Sequence, residues 1–274
     1  MSILLLAFAI LVISLIGGLA PRAFAGRLSG EQLESMTGIA SGLLLASALL
    51  VVIPEGFHTA AETAEDGEAF AYEPAVLGLT VLAGFVAMLL LEGFGVGHAV
   101  HEEHHDHARG HGHAHVHHPT SISVLAAGLS VHALADGLAI GSAAVAGDAA
   151  FSVLVTIAVL LHRIPAAFSL GMFALHTTED APAAVRGLIA FALATPITMV
   201  VSYLLLDEAD ERLIALTLLF SAGTFVYVAT VDTLPAVHNP ETGRRSVLNV
   251  LIGAGLFTML LFGADAAGLL DHAH

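Results

Sequence analysis

The chain has 274 residues, of which 57% are hydrophobic and 12% are charged, with a mean hydropathy of +0.86 and a formal net charge of −16. Soluble domains carry about 25% charged residues, so this chain has about half of the charged surface that such a domain needs, and a soluble globular protein is excluded. The absence of cysteine excludes disulfides and thiolate metal sites, the absence of lysine excludes an ATP-binding P-loop, and the acidic net charge argues against a nucleic-acid partner.

Apolar segments of about twenty residues follow one another along the chain, and each is long enough to cross a bilayer as a helix. Eight such segments cover roughly residues 2–20, 36–54, 75–97, 121–146, 150–175, 183–206, 212–234 and 246–264. The sequence therefore predicts an all-α membrane protein, with residues 1–274 forming a single domain of eight transmembrane helices.

The first segment has a second interpretation as a signal peptide, because Ala23-Phe24-Ala25 resembles a cleavage site. No positive charge precedes its apolar run, and the run is longer than the apolar part of a usual signal peptide. We therefore expect a retained helix.

The charged residues divide between the two faces of the predicted bundle. One set of alternate loops carries arginines, which are Arg22, Arg27, Arg109, Arg186, Arg244 and Arg245. The second and sixth loops carry acidic residues, which are Glu62, Glu65, Asp66, Glu68, Glu73, Asp207, Glu208, Asp210 and Glu211. Because cytoplasmic loops are enriched in basic residues, we expect the arginine-bearing loops in the cytoplasm and both termini outside it, in a cell (inner) membrane.

Ionisable residues interrupt the fourth and fifth segments, where their burial in lipid would be costly unless they have a function. His132 and Asp136 are four residues apart, so a helix presents both on one face, where they can chelate one cation. Counted from the short turn near Gly147, His132 and His162 each lie about fifteen residues into antiparallel helices, and Asp136 lies about eleven. All three reach the middle of their spans, which predicts a metal site at the bilayer midplane.

Small and helix-breaking residues surround these positions. Gly137 and Gly141 form a small-x-x-x-small face, which allows a neighbouring helix to approach closely. Pro165 removes the hydrogen bond to the carbonyl of Leu161, one residue before His162. These features are typical of a packed transport site, although the glycines are explained by helix packing alone.

Several of these motifs have a family resemblance. The pair HALADGLAIG (132–141) and HRIPAAFSLG (162–171) resembles the fourth- and fifth-helix signatures of the ZIP (Zrt-, Irt-like protein) family of divalent-metal transporters. The similarity continues in IPEG (53–56), in FSAGTFVYVATVDTLP (220–235) and in a histidine-rich loop between the third and fourth helices. It implies an eight-helix bundle in a 3+2+3 arrangement, extracytoplasmic termini, and flow of metal, most often Zn²⁺, into the cytosol.

The resemblance also assigns site residues. Its main metal site falls on three positions, which are His132, Asp136 and His162. Many members build a second, adjacent site at positions where this chain has Ala133, Arg163 and Ala166, so the resemblance implies a mononuclear site here. The sequence is most similar to the branch whose fifth helix reads H-K/R-x-P-A-A-F.

Other ionisable residues are assigned to the path of the ion. We hypothesise that the Arg163 guanidinium takes the place of the second cation and pairs with Asp136 or Asp232; alternatively, Arg163 snorkels or only packs. Glu55 and His58, three residues apart near the outer end of the second span, are entry candidates. Asp232 in the seventh span is a candidate for the inward path.

Residues 98–118 form a histidine-rich tract, ten of whose twenty-one residues are histidine. It begins with His101-Glu102-Glu103-His104-His105, which satisfies the H-E-x-x-H pattern of zinc metalloproteases, although chance matches are expected in such a composition. We expect a cytoplasmic loop that collects, buffers or senses metal, or an inert linker. Its candidate ligands are His101, His104, His105, His107, His111, His113, His115, His117 and His118.

The favoured function is transport of Zn²⁺, with Fe²⁺, Mn²⁺, Cd²⁺ and Co²⁺ left open, by a protein that is not an enzyme and has no resident cofactor. One alternative is a cation-diffusion-facilitator exporter, because His132-x-x-x-Asp136 is also the intramembrane pattern of those proteins. An intramembrane metalloprotease and a metal sensor or store are the others. The expected partners are the divalent ion and the lipid bilayer, and a homodimer is left open.

Overall fold

The computed structural model describes residues 3–24, 30–64, 69–93, 122–146, 149–176, 181–238, 240 and 242–267. Within these residues the regular structure is helical and contains no strand. The helices are α1 (Ile3–Phe24), α2 (Gly30–Ser47), a π-helical segment (Ala48–Val52), α3 (Ile53–Glu62), α4 (Pro74–Gly93), α5 (Ile122–Ala146), α6 (Ala149–His176), α7 (Ala181–Leu206), α8 (Glu211–His238) and α9 (Gly243–Ala266).

Eight stretches of helix are long and apolar enough to cross a membrane, and each has 20 to 29 residues. At about 1.5 Å per residue the shortest spans about 30 Å, the thickness of the hydrocarbon core of a bilayer. The faces turned away from the bundle carry large apolar side chains, such as Leu79 and Leu82 on α4 and Leu251 and Met259 on α9. The predicted all-helical membrane fold is confirmed.

The second span is longer than its apolar segment in the sequence. Helix α2, the π-helical segment and α3 follow one another without a break, so the span runs from Glu34 to Glu62. Pro54 lies in the first turn of α3, directly after the π-helical segment, and does not end the helix. Glu55 therefore lies in the first turn of α3, and the helix continues beyond it to Glu62.

Packing divides the helices into two groups. In the first group, α5 packs chiefly against α7, and α1 packs against both α6 and α7. In the second group, α2 packs against α9, and both α3 and α4 pack against α8. The groups meet mainly where α2 contacts α6 and where α5 contacts α8. The central pair α5 and α6 is thus joined in space by α1, the first helix of the chain, and by α7, the helix that follows α6.

Glycine sets the close approach of α5 to α7. A Cβ added at Gly137 would lie 2.9 Å from the backbone nitrogen of Met199, and one added at Gly141 would lie 2.7 Å from the carbonyl oxygen of Met199. Any larger residue would have to push the two backbones apart. The hydroxyl of Ser202 in α7 donates to the carbonyl of Gly137 at 3.3 Å, which is possible only at this short separation.

Candidate metal centre

Three ionisable side chains from α5 and α6 converge near the middle of their helices. His132 Nε2 lies 3.3 Å from His162 Nε2 and 3.6 Å from Asp136 Oδ1. His162 Nε2 lies 3.4 Å from Asp136 Oδ2. The side chains are inside the bundle, with His132 8%, Asp136 1% and His162 7% exposed. The three residues, predicted to lie at a similar depth in the membrane, thus form a cluster in the structure. Their ligand atoms all lie within 4.8 Å of one another.

The separations within this cluster resemble those of ligands around one ion. Zn²⁺ binds imidazole nitrogen and carboxylate oxygen at about 2.0–2.2 Å, so neighbouring ligands of a tetrahedral site lie about 3.3–3.6 Å apart. The two imidazole nitrogens are 3.3 Å apart, within this range, and each lies 3.4–3.6 Å from a different oxygen of Asp136, so a carboxylate binding through one oxygen would have to turn slightly. One cation could therefore contact all three side chains with little rearrangement.

The backbone of α6 orients the imidazole of His162. Its Nδ1 lies 3.2 Å from the carbonyl oxygen of Ala158, one turn earlier, and donates to it. With the proton on Nδ1, Nε2 presents its lone pair to the cluster, as a metal ligand must. The ring also lies against Phe225 of α8, with centroids 6.5 Å apart. Phe225 is fully buried, so the second helix group places an apolar ring beside His162.

The carboxylate of Asp136 points both of its oxygens into the cluster. Oδ2 faces His162 and Arg163, and Oδ1 faces His132. Within the part of the chain that the structure describes, buried Oδ1 accepts no hydrogen bond. Because a buried carboxylate oxygen normally has a partner, this oxygen is suited to a cation.

Arg163, next to His162, is buried beside the cluster and is 1% exposed. Its Nη1 lies 3.5 Å from Asp136 Oδ2 and donates to Thr195 Oγ1 at 2.5 Å. Its Nε donates to Ser14 Oγ at 2.5 Å, and its Nη2 donates to the carbonyl of Phe191 at 2.6 Å. The guanidinium carbon also lies 4.2 Å from the centre of the Phe191 ring. Arg163 therefore does not snorkel to the membrane surface.

Comparison with known proteins gives the family. The model of the family described as ZIP Zinc transporter matches the chain in two overlapping segments, residues 2–121 and 95–262. The chain belongs to the ZIP family. The Zinc transporter ZIP9 of Xenopus tropicalis is 33% identical over 287 aligned positions, which cover 91% of each chain. Zinc transporter ZIP9-B of Xenopus laevis is 34% identical with the same coverage, and Zinc transporter ZIP9 of Micropogonias undulatus is 32% identical over 86% of this chain and 85% of its own.

ZIP membership and the eight spans make this chain an integral membrane protein and a transporter of zinc or a related divalent metal. Zinc is then the transported substrate rather than a resident cofactor. The family membership confirms the resemblance seen in the sequence. It favours neither the cation-diffusion-facilitator exporter nor the intramembrane metalloprotease.

Two of the three positions associated with a second ZIP metal site carry methyl groups. Ala133 is fully buried and Ala166 is partly buried, and neither has a side-chain atom that could bind a metal. The carbonyl of Ala133 accepts a hydrogen bond from Thr195 Oγ1 at 2.6 Å. The third position is Arg163, whose guanidinium occupies the space beside Asp136.

The two entry candidates, Glu55 and His58, are not part of the cluster. His58 and Glu62 form an ion pair, with Nδ1 of the histidine 3.4 Å from Oε2 of the glutamate and the His58 side chain 51% exposed. Neither Glu55 nor His58 joins the cluster, which is the one group of three or more potential metal ligands among the described residues. Asp232 lies in α8, but its side chain is outside the described residues.

The histidine-rich tract also lies outside the described residues. Its candidate ligands remain predictions from the sequence; they are His101, His104, His105, His107, His111, His113, His115, His117 and His118.

Sequence reasoning missed the groups that hold Arg163. Ser14 is a single hydroxyl in the apolar run of α1, and the carbonyl of Phe191 is a backbone group, so neither leaves a signal in the sequence. Thr195 precedes Pro196 inside α7, and this pair was the feature of the sequence that indicated a polar position in the helix.

Proposed function

We propose that this protein carries one divalent cation at a time, with Zn²⁺ favoured, through a site formed by His132, Asp136 and His162. The observation that supports this most strongly is the convergence of two imidazole nitrogens and the two oxygens of one carboxylate, with contacts of 3.3 to 3.6 Å, inside the bundle. Ala133 and Ala166 supply no ligands beside the site, which supports a single ion.

The ligand set supports the choice of metal. Two imidazoles and one carboxylate suit Zn²⁺ better than Mg²⁺ or Ca²⁺, which prefer oxygen ligands. Fe²⁺, Mn²⁺ and Cd²⁺ remain possible substrates for the same three side chains. A fourth position, open to water, would let ligands exchange as the ion enters and leaves, unlike a closed structural site with four protein ligands.

We propose transport into the cytosol across a cell (inner) membrane, with both termini and the acidic loops outside. The two faces of the bundle support this orientation. Arg245 donates to Glu31 at 2.7 Å, so α2 and α9 begin on the same, arginine-bearing face. Arg212 donates to the carbonyl of Thr63 at 3.5 Å, so the second and sixth loops share the other face. A potential of 100 mV, negative inside, favours entry of a divalent ion by about 4.6 kcal/mol.

The movement we propose is a shift of the first helix group (α1, α5, α6 and α7) against the second. The whole candidate site belongs to the first group, while Phe225 on α8 covers it from the second. A relative shift would move His132, Asp136 and His162 past the Phe225 ring. The site would then be accessible first from one side of the membrane and then from the other. Glu55 and His58 are retained as entry candidates, Asp232 as an exit candidate, and the tract at 98–118 as a cytoplasmic metal-collecting loop.

Uptake of Zn²⁺ into proteoliposomes tests this function. The wild-type protein should accumulate Zn²⁺ inside, and His132→Ala and His162→Ala should each reduce the initial rate to the level of protein-free vesicles. His238→Ala, which changes an exposed histidine at the end of α8, is the matched control and should transport normally. Normal transport by both site variants would show that the ion uses another path.

A further inference from the structure

The guanidinium of Arg163 is placed beside the candidate metal site but is not bound tightly to its carboxylate. The distance from Nη1 to Asp136 Oδ2 is 3.5 Å, whereas Arg–carboxylate hydrogen bonds are usually about 2.7–2.9 Å long. The shorter hydrogen bonds of Arg163 go to the neutral groups Ser14, Thr195 and the Phe191 carbonyl. Asp136 therefore keeps both oxygens directed at the histidines while a fixed positive charge lies behind it.

The two hydroxyls that hold Arg163 are themselves oriented. Ser14 donates its own proton to the carbonyl of Ile10 at 2.6 Å, and Thr195 donates its proton to the carbonyl of Ala133 at 2.6 Å. Each hydroxyl thus turns a lone pair toward the arginine. This arrangement connects α1, α5, α6 and α7, the four helices of the first group, at one buried cation. These hydrogen bonds form a cradle around Arg163 that holds its guanidinium in place when the first helix group moves.

The positive charge of Arg163 changes the net charge of the site. Without a metal, the negative charge of Asp136 and the positive charge of Arg163 cancel. With a divalent ion bound, these two side chains and the ion together carry a net charge of +2, whereas the sum would be +1 if residue 163 were neutral. The bound ion is then repelled by a cation that cannot leave, since arginine stays protonated in proteins.

We propose that Arg163 is a built-in counter-cation that keeps the empty site neutral and weakens its hold on the ion so that the ion can be released. It is a positioning residue that acts through Asp136. The proposal rests on the function proposed for His132, Asp136 and His162. Removing the positive charge should tighten metal binding for two reasons: the repulsion disappears, and the metal becomes the only cation left to compensate Asp136.

Co²⁺ binding to the purified full-length protein provides the test, because the visible d–d absorption of Co²⁺ changes when protein ligands replace its water. The signal of the site is defined as the part lost when His132→Ala is added to each background, which separates it from binding elsewhere. Arg163→Gln, which is neutral, should bind Co²⁺ about tenfold more tightly than the wild type. Arg163→Lys, which keeps the charge, and Arg186→Gln, an exposed control on α7, should bind like the wild type.

Zn²⁺ uptake by the same variants should show that tighter binding lowers the maximal rate of transport. Arg163→Gln should lower both the half-saturating concentration and the maximal rate by about tenfold, whereas Arg163→Lys should restore the rate. A merely structural role would lower the amount of active protein without lowering the half-saturating concentration. Unchanged or weaker Co²⁺ binding by folded Arg163→Gln would overturn the inference. A wild-type protein without any His132-dependent Co²⁺ signal would instead overturn the proposed function.

A measurement on the wild-type protein covers the case in which Arg163→Gln does not fold. In planar bilayers without metal, voltage steps should produce no transient current from a neutral empty site, and addition of Zn²⁺ should produce one. A transient current of similar size in the absence of metal would mean that the empty site carries net charge, which contradicts cancellation between Asp136 and Arg163.

Discussion

His132 and His162 face each other across the α5–α6 interface, with their Nε2 atoms 3.3 Å apart. Nδ1 of His162 donates to the carbonyl of Ala158, so when this imidazole is neutral its Nε2 carries a lone pair. In that state the contact is either a hydrogen bond donated by Nε2 of His132 or a pair of nitrogens that can bind one cation between them. The arrangement makes protons and metal ions competitors for the same place.

Metal binding should therefore weaken at acidic pH. Imidazoles must be neutral to bind a metal, and protonation over the range of about pH 8 to 5 removes them as ligands. The His132-dependent Co²⁺ absorption should be strongest at the upper end of this range and decline steadily toward the lower end. Binding that is constant or stronger at acidic pH would show that these imidazoles are not the ligands.

Asp136→Asn should weaken Co²⁺ binding by about a hundredfold or more, because it removes the only anionic ligand while preserving the shape of the side chain. It also leaves the Arg163 guanidinium buried without its counter-charge, so the melting temperature should fall as well. Asp210→Asn, at an exposed position before α8, is the control and should change neither quantity. Co²⁺ binding by folded Asp136→Asn at wild-type affinity would contradict the role of the carboxylate.

Thr195→Val should destabilise the protein by about 1–3 kcal/mol, because it removes an acceptor for Arg163 and a donor to the carbonyl of Ala133 inside the bundle. Thr217→Val is a matched control, since the Thr217 hydroxyl bonds only within its own helix, to the carbonyl of Leu213. Thermal unfolding in detergent measures the difference. Equal melting temperatures for the two variants would argue against the cradle around Arg163.

Gly137→Ala should lower both stability and uptake. The added methyl would lie 2.9 Å from the backbone nitrogen of Met199, so α5 must move away from α7 and carry Asp136 with it. Gly78→Ala in α4 is the control, because its methyl would meet no atom within 4 Å. The control should retain wild-type uptake and melting temperature. Normal uptake by Gly137→Ala would mean that the close helix contact has no bearing on the site.

Deletion of residues 101–118 should leave the His132-dependent Co²⁺ signal intact. The tract is rich in potential ligands, but the three proposed ligands all lie in α5 and α6. We expect the deletion to change the rate of uptake or its response to internal Zn²⁺. Loss of the Co²⁺ signal in a folded deletion variant would contradict this separation of the tract from the site.

Much of this architecture is readable from the sequence because lipid imposes simple rules. Length and hydropathy give the eight spans, and the four-residue spacing of His132 and Asp136, with the equal depth of His162, predicts their meeting. The π-helical segment before Ile53 was not predictable, since an extra residue in one turn leaves no mark on composition. The pair His58 and Glu62 has the same four-residue spacing, but it was missed because the second apolar segment ends near residue 54 whereas the helix continues to Glu62.

The surroundings of Arg163 show why the rest of the site required a structure. The sequence raised the question of its partner but offered two carboxylates, those of Asp136 and Asp232. The actual contacts include a hydroxyl from α1 and a backbone carbonyl from α7, groups that are distant in sequence and carry no charge. Hydrogen bonds of this kind are decided by how helices pack, which the pattern of one helix cannot specify.

Anomalous diffraction at the zinc absorption edge, from crystals of transport-competent protein grown with Zn²⁺, is the most direct test of the proposed site. We predict an anomalous peak within about 2.0–2.2 Å of His132 Nε2, His162 Nε2 and an oxygen of Asp136. Zinc peaks elsewhere in the protein, with none between these three side chains, would contradict it.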